Sequence, residues 1–325
     1  MAWLVTGGAG YIGSHVVRAL QGDGLDVVVI DDLSSGHRSF VSEGVPFVEA
    51  SILDTVALDG LFAQHPIDGV IHLAGYKYAG ESVRRPLHTY EQNVTGTARL
   101  LAAMQRAGVG RIVFSSSAGV YGTPDVDLVT ETTATTPESP YGESKLIGEW
   151  LIADQGRAAG LAHTALRYFN VVGSAVPELP DTSPFNLFPL VFRALEAGTA
   201  PKIFGADYAT PDGTCVRDYI HVADLARSHV AAARRLLAGE PVEPVYNLGS
   251  GSGSSVREIM DAMARGTGID FEPEIAPRRP GDPARIVADG VLAARDLGWA
   301  MTNTLDDMVT SAWAAAQWQR AQGAF

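Results

Sequence analysis

The sequence has few positive charges, a single cysteine and no long hydrophobic run. Among its 325 residues, 24 Lys and Arg stand against 37 Asp and Glu, which gives a formal net charge of −13. This balance argues against a nucleic-acid surface or an anionic membrane as partner. The single cysteine, Cys215, excludes an intrachain disulfide and predicts a reducing compartment, the cytoplasm. No apolar run approaches the ~20 residues of a membrane helix, and we expect no signal peptide.

Apolar and small residues are, by contrast, abundant. Hydrophobic residues make up 46% of the chain and charged residues 19%, with 35 Gly and 18 Pro, which predicts a globular and loop-rich protein. At ~150 residues per domain, the length predicts about two domains with a substantial core. The eight histidines show no metal-ligand spacing, so we expect no metal site.

The first half of the chain alternates short apolar runs with helical patterns. The runs are rich in Val, Ile and Leu, as strands buried on both faces should be; they lie at 2–5, 27–30, 46–48, 70–73, 112–114 and 164–168. Helical patterns separate them, for example at 11–21 and at 94–107, where Gly108 is a suitable C-cap. This order predicts an α/β fold with a parallel sheet covered on both sides.

Beyond Asn170 the composition changes. Prolines at 177, 180, 184 and 189 predict a loop-rich second region. The Gly- and Ser-rich stretch 249–255 has two interpretations, a flexible linker or a turn that opens a helix at 256–259. We favour the turn, because the strand-like run 245–248 leads directly into it.

A glycine-rich segment, Gly7-Gly8-Ala9-Gly10-Tyr11-Ile12-Gly13, joins the first strand to the first helix. Glycines at this junction permit a tight turn and let backbone N–H groups approach a pyrophosphate. The second strand ends at Asp31, 21 residues after Gly10, where a carboxylate can accept hydrogen bonds from an adenosine ribose and repel a 2′-phosphate. The pattern therefore predicts NAD rather than NADP, although an ordinary glycine-rich turn is the alternative.

Tyr141 and Lys145 are four residues apart in a predicted helix and therefore share one face. A free tyrosine has a pKa of ~10 and is a poor base at neutral pH. A nearby ammonium group stabilises the phenolate and lowers that pKa, so the pair suggests a catalytic base. A surface ion-pair spacing is the alternative.

Three serines, Ser115 to Ser117, end the fifth predicted strand. Ligands of open parallel sheets bind beyond the carboxyl ends of the strands, so a serine here can contact a substrate hydroxyl. The alternative is that the serines satisfy backbone groups at the strand end, and we expect at least two of them to do so.

These motifs together resemble the extended short-chain dehydrogenase/reductase superfamily. Further strings, at 72–77, 80–83, 93–97, 114–122, 166–170, 216–222 and 277–282, look like the UDP-glucose (UDP-galactose) 4-epimerase family. The resemblance runs nearly end to end. It implies a Rossmann-type doubly wound parallel sheet over residues 1–170, with a returning segment near 218–240, and a smaller, mixed α/β substrate-binding domain that comprises most of 171–325.

The same resemblance implies the residues of the site. The NAD-binding set would be Gly7, Gly10, Tyr11, Ile12, Gly13, Asp31, Asp32, Ser51, Ile52, Leu73, Ala74, Gly75, Lys77, Asn93, Ser115, Tyr141, Lys145 and Tyr168. The UDP-sugar set would be Ser117, Tyr141, Asn170, Asn186, Leu187, Phe204, Arg217, Tyr219, Arg279, Asp282 and Ile286. The catalytic residues would be Ser117, Tyr141 and Lys145.

Three positions depart from the family pattern. Ser51 stands where an Asp usually meets the adenine amino group, and Asp32 stands where Asn is common. Ile286 falls near the sugar, where sugar-selective members tend to carry Tyr. Because Ile is the smaller side chain, we predict that the pocket tolerates a 2-N-acetyl group.

The implied activity belongs to carbohydrate metabolism, and more narrowly to galactose metabolism. UDP-glucose and UDP-galactose would interconvert through a 4-keto intermediate, with Tyr141 as the base, Lys145 and the nicotinamide lowering its pKa, and Ser117 orienting the 4-oxygen. A nucleotide-sugar 4,6-dehydratase is one alternative, but it usually shows an Asp-Glu pair where this chain has Ala118-Gly119. A non-enzymatic NAD-sensing regulator is another, but such proteins commonly lose the Tyr or the Lys.

The resemblance also implies a homodimer. Members of the superfamily commonly pair the helix that carries the Tyr-Lys motif with its neighbour, which forms a four-helix bundle between subunits. In this chain, Leu146, Ile147, Trp150 and Leu151 supply apolar bulk on that helix. Core packing alone is the alternative explanation.

Overall fold

The structure, a computed structural model, describes residues 1–279 and 282–323. Pro280 and Gly281, which belong to the string at 277–282, lie outside the described residues. The strands are β1 (Ala2–Thr6), β2 (Asp26–Asp31), β3 (Phe47–Glu49), β4 (Ile67–His72), β5 (Arg111–Ser115), β6 (Ala162–Tyr168), β7 (Asn170–Val172), β8 (Lys202–Phe204), β9 (Val216–Arg217), β10 (Tyr219–His221), β11 (Val245–Leu248), β12 (Ser254–Ser255), β13 (Glu274–Ala276) and β14 (Arg285–Ile286).

Helices connect these strands. They are α1 (Tyr11–Gly22), α2 (Thr55–Gln64), α3 (Ala79–Ser82), α4 (Pro86–Tyr90), α5 (Gly96–Ala107), α6 (Pro140–Ala159), α7 (Leu187–Glu196), α8 (Val222–Ala238), α9 (Val256–Thr267), α10 (Val291–Leu297) and α11 (Leu305–Ala321). A wider helical turn over 91–95 precedes α5, which therefore begins two residues later than predicted. Gly108 ends α5 in the left-handed conformation, at φ 72°, as predicted.

The main sheet has seven strands in the order β11-β6-β5-β4-β1-β2-β3, and every pairing is parallel. One face packs on α1 and α8, through side chains such as Val17 and Leu225. The other face packs on α2, α5 and α6, through side chains such as Leu58, Leu100 and Ile152. The predicted Rossmann-type α/β fold is confirmed.

Part of this sheet comes from late in the sequence. Helix α8 packs against α1, and β11 pairs with β6 along Val245–Leu248. The predicted returning segment 218–240 contains α8 but ends before β11.

The second region has its own core. Helices α7, α9 and α11 enclose a cluster that includes Phe188, Phe192, Met263 and Val309. Short strand pairs flank it, among them the parallel β8 and β13. Stretch 249–255 is not a flexible linker: it leads into β12 and into α9, whose N-cap Ser255 forms a capping box with Glu258. Within the described residues, no helix combines the length and the apolar composition that a bilayer crossing needs.

Candidate active site

A cleft of about 1030 Å³ lies at the carboxyl ends of the central strands, and residues of the second region line its other side. This is the edge at which parallel α/β sheets bind ligands. Most of the predicted site residues line it: Gly7, Gly10, Tyr11, Ile12, Gly13, Asp31, Asp32, Ser51, Ile52, Leu73, Ala74, Gly75, Lys77, Tyr141, Lys145, Tyr168, Asn170, Asn186, Leu187, Phe204, Arg217, Tyr219 and Arg279.

Five predicted residues are not part of the cleft lining: Asn93, Ser115, Ser117, Asp282 and Ile286. Asn93 is 5% exposed and its carboxamide accepts from Tyr76 N (2.6 Å) and donates to Tyr76 O (3.0 Å), so it braces the loop after β4 from behind. Ile286 lies in β14, where it is paired with Arg217 of β9. The expected position of Ile286 in the sugar pocket is therefore not seen.

In the glycine-rich segment 7–13, neighbouring backbone atoms lie so close to two of the glycines that a side chain would not fit. Gly7 has φ +73°, and a Cβ on it would lie 2.8 Å from the Ala74 nitrogen. A Cβ on Gly13 would lie 2.1 Å from the Gly7 carbonyl oxygen. The turn therefore needs glycine at both positions, and it directs the N-terminal N–H groups of α1 into the cleft.

Asp31 is fixed at the end of β2 by two backbone donors. Its Oδ2 accepts from Ala9 N at 3.0 Å and its Oδ1 accepts from Leu33 N at 2.8 Å. Burial raises the pKa of this carboxyl, and the two N–H groups oppose that rise. Each oxygen keeps acceptor capacity for a hydroxyl in the cleft.

Tyr141 and Ser117 meet at the start of α6. Ser117 lies close enough to Tyr141 to lower the pKa of its phenol, and Ser117 Oγ accepts from Gly119 N at 3.1 Å. Burial raises the pKa of Tyr141, against the opposing effect of Ser117. Lys145 is not among the groups that lower this pKa, so the predicted lowering by Lys145 is not seen.

Lys145 lies one helical turn further on, with Nζ 5.9 Å from the centre of the Tyr141 ring. Its Nζ donates to the Ser115 carbonyl at 2.9 Å. Burial lowers the pKa of Lys145 to about 8, and Glu149 opposes that shift. The ammonium group is thus held in place by β5 and can present its other protons to the cleft.

The sequence analysis did not identify the buried residues that lie behind Tyr141 and Lys145. Glu149, one more turn along α6, makes a buried ion pair with Arg167 of β6 and accepts from the Ser116 hydroxyl. The signal was present, since Tyr141, Lys145 and Glu149 repeat at four-residue intervals on one helix face. Arg167 carried no comparable signal, because its proximity depends on the pairing of β5 with β6.

The other end of the cleft is cationic. The Arg279 guanidinium lies 4.9 Å from the centre of the Phe204 ring, and Asp282 pairs with both Arg279 (2.9 Å) and Arg217 (3.6 Å). Among the described residues, no hydrogen-bond partner meets the buried Nη2 of Arg217. Its nearest acidic atom is Asp282 Oδ1 at 3.6 Å, beyond hydrogen-bond distance, and Arg217 itself lines the cleft.

Comparison with known proteins decides the family. The profile of the NAD dependent epimerase/dehydratase family matches residues 3–249. A UDP-glucose 4-epimerase of Azospirillum brasilense is 43% identical over 322 residues, which is 98% of this chain and 91% of that protein. The chain belongs to the UDP-glucose 4-epimerase family. The predicted resemblance is confirmed.

Solved structures agree with this assignment. A UDP-glucose-4-epimerase from Stenotrophomonas maltophila, with bound NAD and formylated UDP-arabinopyranose, has a TM-score of 0.93 at 42% identity and covers 99% of both chains. A UDP-Glc/GlcNAc 4-epimerase from Campylobacter jejuni has a TM-score of 0.85 at 36% identity and covers 98% of this chain and 99% of its own.

Proposed function

We propose that this chain is an NAD-dependent epimerase that interconverts UDP-glucose and UDP-galactose at C4. The observation that carries the proposal is that Tyr141 and Lys145 line one cleft, with Lys145 Nζ 5.9 Å from the centre of the Tyr141 ring and Ser117 beside the Tyr141 side chain. A base, an orienting hydroxyl and a cation are the groups that removal of a proton from a sugar hydroxyl requires. The family of the chain supplies the substrate class.

The residues at the first half of the cleft fit NAD. The turn at Gly7 and Gly13 leaves no room for a Cβ, which suits a diphosphate held on backbone N–H groups. The Asp31 carboxylate suits a ribose diol. When bound, NAD accepts and returns the C4 hydrogen as a hydride and brings a positive charge into the cleft.

Side chains of this protein remove and return the proton of the sugar 4-hydroxyl. Tyr141 removes the proton of the 4-hydroxyl as a phenolate, and the neighbouring Ser117 orients the 4-oxygen. Because burial raises the pKa of Tyr141, the phenolate needs cations close by. Lys145, fixed to the Ser115 carbonyl, is the cation that the chain supplies, and the cofactor charge adds to it.

The UDP part of the substrate belongs at the opposite end. Arg217 and Arg279 would bind the diphosphate, and Asp282 would hold both guanidinium groups in position. Phe204, already beneath Arg279, gives a flat apolar surface at the same end. The other predicted substrate residues keep the roles that the resemblance implies.

The two alternatives are not favoured. A 4,6-dehydratase needs acidic groups beside the active-site hydroxyl, and Ser117 is followed here by Ala118-Gly119. An NAD-sensing regulator does not need Tyr141 and Lys145 to face one cleft. The two relatives named above that match over nearly the whole chain are epimerases.

We also propose a homodimer formed through α6 and α4. Trp150 of α6 is 57% exposed and Leu87 of α4 is 83% exposed, and the two helices pack side by side. Exposed apolar side chains on adjacent helices favour association with a second copy. Leu146, which the sequence suggested for this face, is instead buried with Val120 and Tyr121.

The proposed location is the cytoplasm, as the sequence predicts. Cys215 is a free, buried thiol, and burial raises its pKa, so it is poorly reactive. A fold of this size that uses no disulfide is suited to a reducing compartment.

Tolerance of N-acetyl sugars stays a prediction. The Campylobacter jejuni relative that acts on both UDP-Glc and UDP-GlcNAc supports it. Ile286 lies beside Arg217 rather than in the cleft lining, so its effect would pass through that arginine. Comparison of Ile286→Tyr with the parent on UDP-GlcNAc tests whether the size of residue 286 controls acceptance of the N-acetyl group. Equal turnover of this sugar by the two proteins would reject that control.

A substrate panel tests the function directly. UDP-glucose, UDP-galactose, their N-acetyl analogues and UDP-glucuronate are incubated with the protein, and the C4 epimers are separated. We expect epimerisation of the simple hexoses without net NADH formation. A 4-keto-6-deoxy product would favour the dehydratase, and no product from any of the sugars would favour the regulator.

A further inference from the structure

One segment has no role in the proposed chemistry, although it crosses the cofactor half of the cleft. This segment, residues 173–185 between β7 and the N-cap of α7, is called the strap here. Its first residues are tied to α1: Tyr11 Oη donates to the Gly173 carbonyl at 2.5 Å, and Ala175 N donates to His15 Nε2 at 3.1 Å. The base of the strap is thus fixed beside the glycine turn.

The outer part of the strap touches two loops of the first half of the chain. Thr182 Oγ1 lies 3.3 Å from His37 Nε2, in the loop that follows Asp31. The Phe185 ring meets the Tyr78 ring edge to face, with centres 5.2 Å apart and an interplanar angle of 74°. These contacts join the two sides of the cleft.

The charges of Asp181 in the strap and Lys77 in the loop after β4 also attract each other. Burial raises the pKa of Asp181, and Lys77 is among the groups that oppose this rise. Burial lowers the pKa of Lys77, and Asp181 and Asp31 oppose that shift. Lys77 is therefore attracted by a carboxylate on each side of the cleft.

The position of the strap explains the prolines that stood out in the sequence. Pro177, Pro180 and Pro184 lie in it, and each fixes its own φ. These prolines reduce the number of backbone conformations that the strap can adopt. Asp181, Ser183 and Phe185 line the same cleft as Gly10 and Tyr11, so the strap and the glycine turn face one ligand space.

We propose that the strap retains the bound dinucleotide between turnovers, with the Phe185–Tyr78 ring contact as its latch. The inference rests on the proposed function, because an epimerisation restores the oxidised cofactor in every cycle and is interrupted by its release. Phe185 is 56% exposed, so the latch can open without disruption of the core.

The test is the dissociation rate of the cofactor. Holoenzyme, loaded with NAD if it purifies without it, is mixed with a large excess of a fluorescent, etheno-modified NAD, and exchange is followed over time. An edge-to-face pair is worth enough to change the rate roughly threefold to tenfold. We expect at least threefold faster exchange in Phe185→Ala and in Tyr78→Ala.

Two controls define the outcome. Phe185→Tyr keeps the ring and should exchange at the parental rate, as should Val291→Ala, which truncates an exposed side chain on α10. Parental exchange in both alanine variants, each with a native circular dichroism spectrum, rejects the latch. If Phe185→Ala does not fold, Tyr78→Ala alone decides. Failure of the proposed function would appear separately, as absence of epimerised product from the parent.

Discussion

The Ser115 hydroxyl lies 2.6 Å from Nε2 of His229, a residue 114 positions away and fully buried in α8. Nδ1 of the same ring lies 2.9 Å from the Leu225 carbonyl, which can only accept. The proton must therefore sit on Nδ1, so that Ser115 donates to Nε2. Burial raises the pKa of Tyr168, whose side chain lines the cleft beside this pair, and Ser115 opposes that rise.

The buried histidines predict a loss of stability in mild acid. Burial lowers the pKa of His229 to about 4, from 6.5 in the unfolded chain. Between these values the unfolded state binds more protons, so the free energy of unfolding falls as the pH falls. We expect His229→Gln to remove about 1–2 kcal/mol of the difference in unfolding free energy between pH 7 and pH 5. Urea titrations at both pH values measure it, and an unchanged difference would contradict the assignment.

Removal of the Tyr141 hydroxyl should abolish turnover and leave the cofactor bound. Tyr141→Phe takes away the proposed base and retains the ring, and we expect a rate loss of ~10³-fold with NAD content unchanged. Tyr90→Phe is the matched control, because the Tyr90 hydroxyl donates to Glu143 and is not part of the cleft lining. Turnover of Tyr141→Phe within tenfold of the parent would end its assignment as the base.

The protein should purify with NAD or NADH attached. A cycle that is redox-neutral needs no exchange of cofactor, so added NAD should change the rate little. The absorbance of released nucleotide after acid denaturation gives the bound fraction. Stoichiometric consumption of NADPH during turnover would instead indicate a reductase.

Removal of one charge from the buried Glu149–Arg167 ion pair should destabilise the protein more than replacement of both residues by apolar side chains. The side chains of Glu149 and Arg167 are only 7% and 6% exposed, so Glu149→Gln leaves an uncompensated guanidinium charge and should cost ~3–5 kcal/mol. The double variant Glu149→Leu/Arg167→Met removes both charges of this pair and should recover part of that loss. Chemical denaturation measures both, and a double variant less stable than the single one would contradict the argument.

The association of subunits can be measured directly. Multi-angle light scattering at micromolar concentration should give the mass of a dimer, and Trp150→Glu should shift it towards the monomer, since it places a charge on the proposed interface. Val56→Glu, on an exposed side chain of α2, serves as the control and should stay dimeric. A monomeric parent would rule the dimer out.

The sequence predicted those features of the fold that depend on residues close together in the chain. Val- and Ile-rich runs such as 27–30 predicted buried strands, and the glycine turn predicted the start of α1, because periodicity and backbone freedom act over a few residues. Tyr141 and Lys145 could be paired because they share a helix. His229 could not be linked with Ser115, nor Phe185 with Tyr78, because those pairs form only when distant segments pack together.

The pKa of Tyr141 illustrates a second reason why part of the site could not be predicted from the sequence. The spacing of Tyr141 and Lys145 predicted stabilisation of the phenolate, but a spacing does not reveal how much water the fold removes. Burial raises that pKa, and the Lys145 ammonium is bound to the Ser115 carbonyl. Desolvation depends on every neighbour in space, so it becomes visible only in the folded structure.

The place of β11 in the main sheet has a consequence for the growing chain. Strand β6 ends at Tyr168 and its edge partner β11 begins only at Val245. At ~5–20 residues per second, a ribosome leaves that edge unpaired for roughly 4 to 15 seconds. During this interval the face of α1 that will meet Leu225 and Leu236 of α8 is also uncovered. The nascent protein therefore passes through a period of exposure to aggregation, in which a chaperone that shields apolar strand edges would raise the yield of folded enzyme.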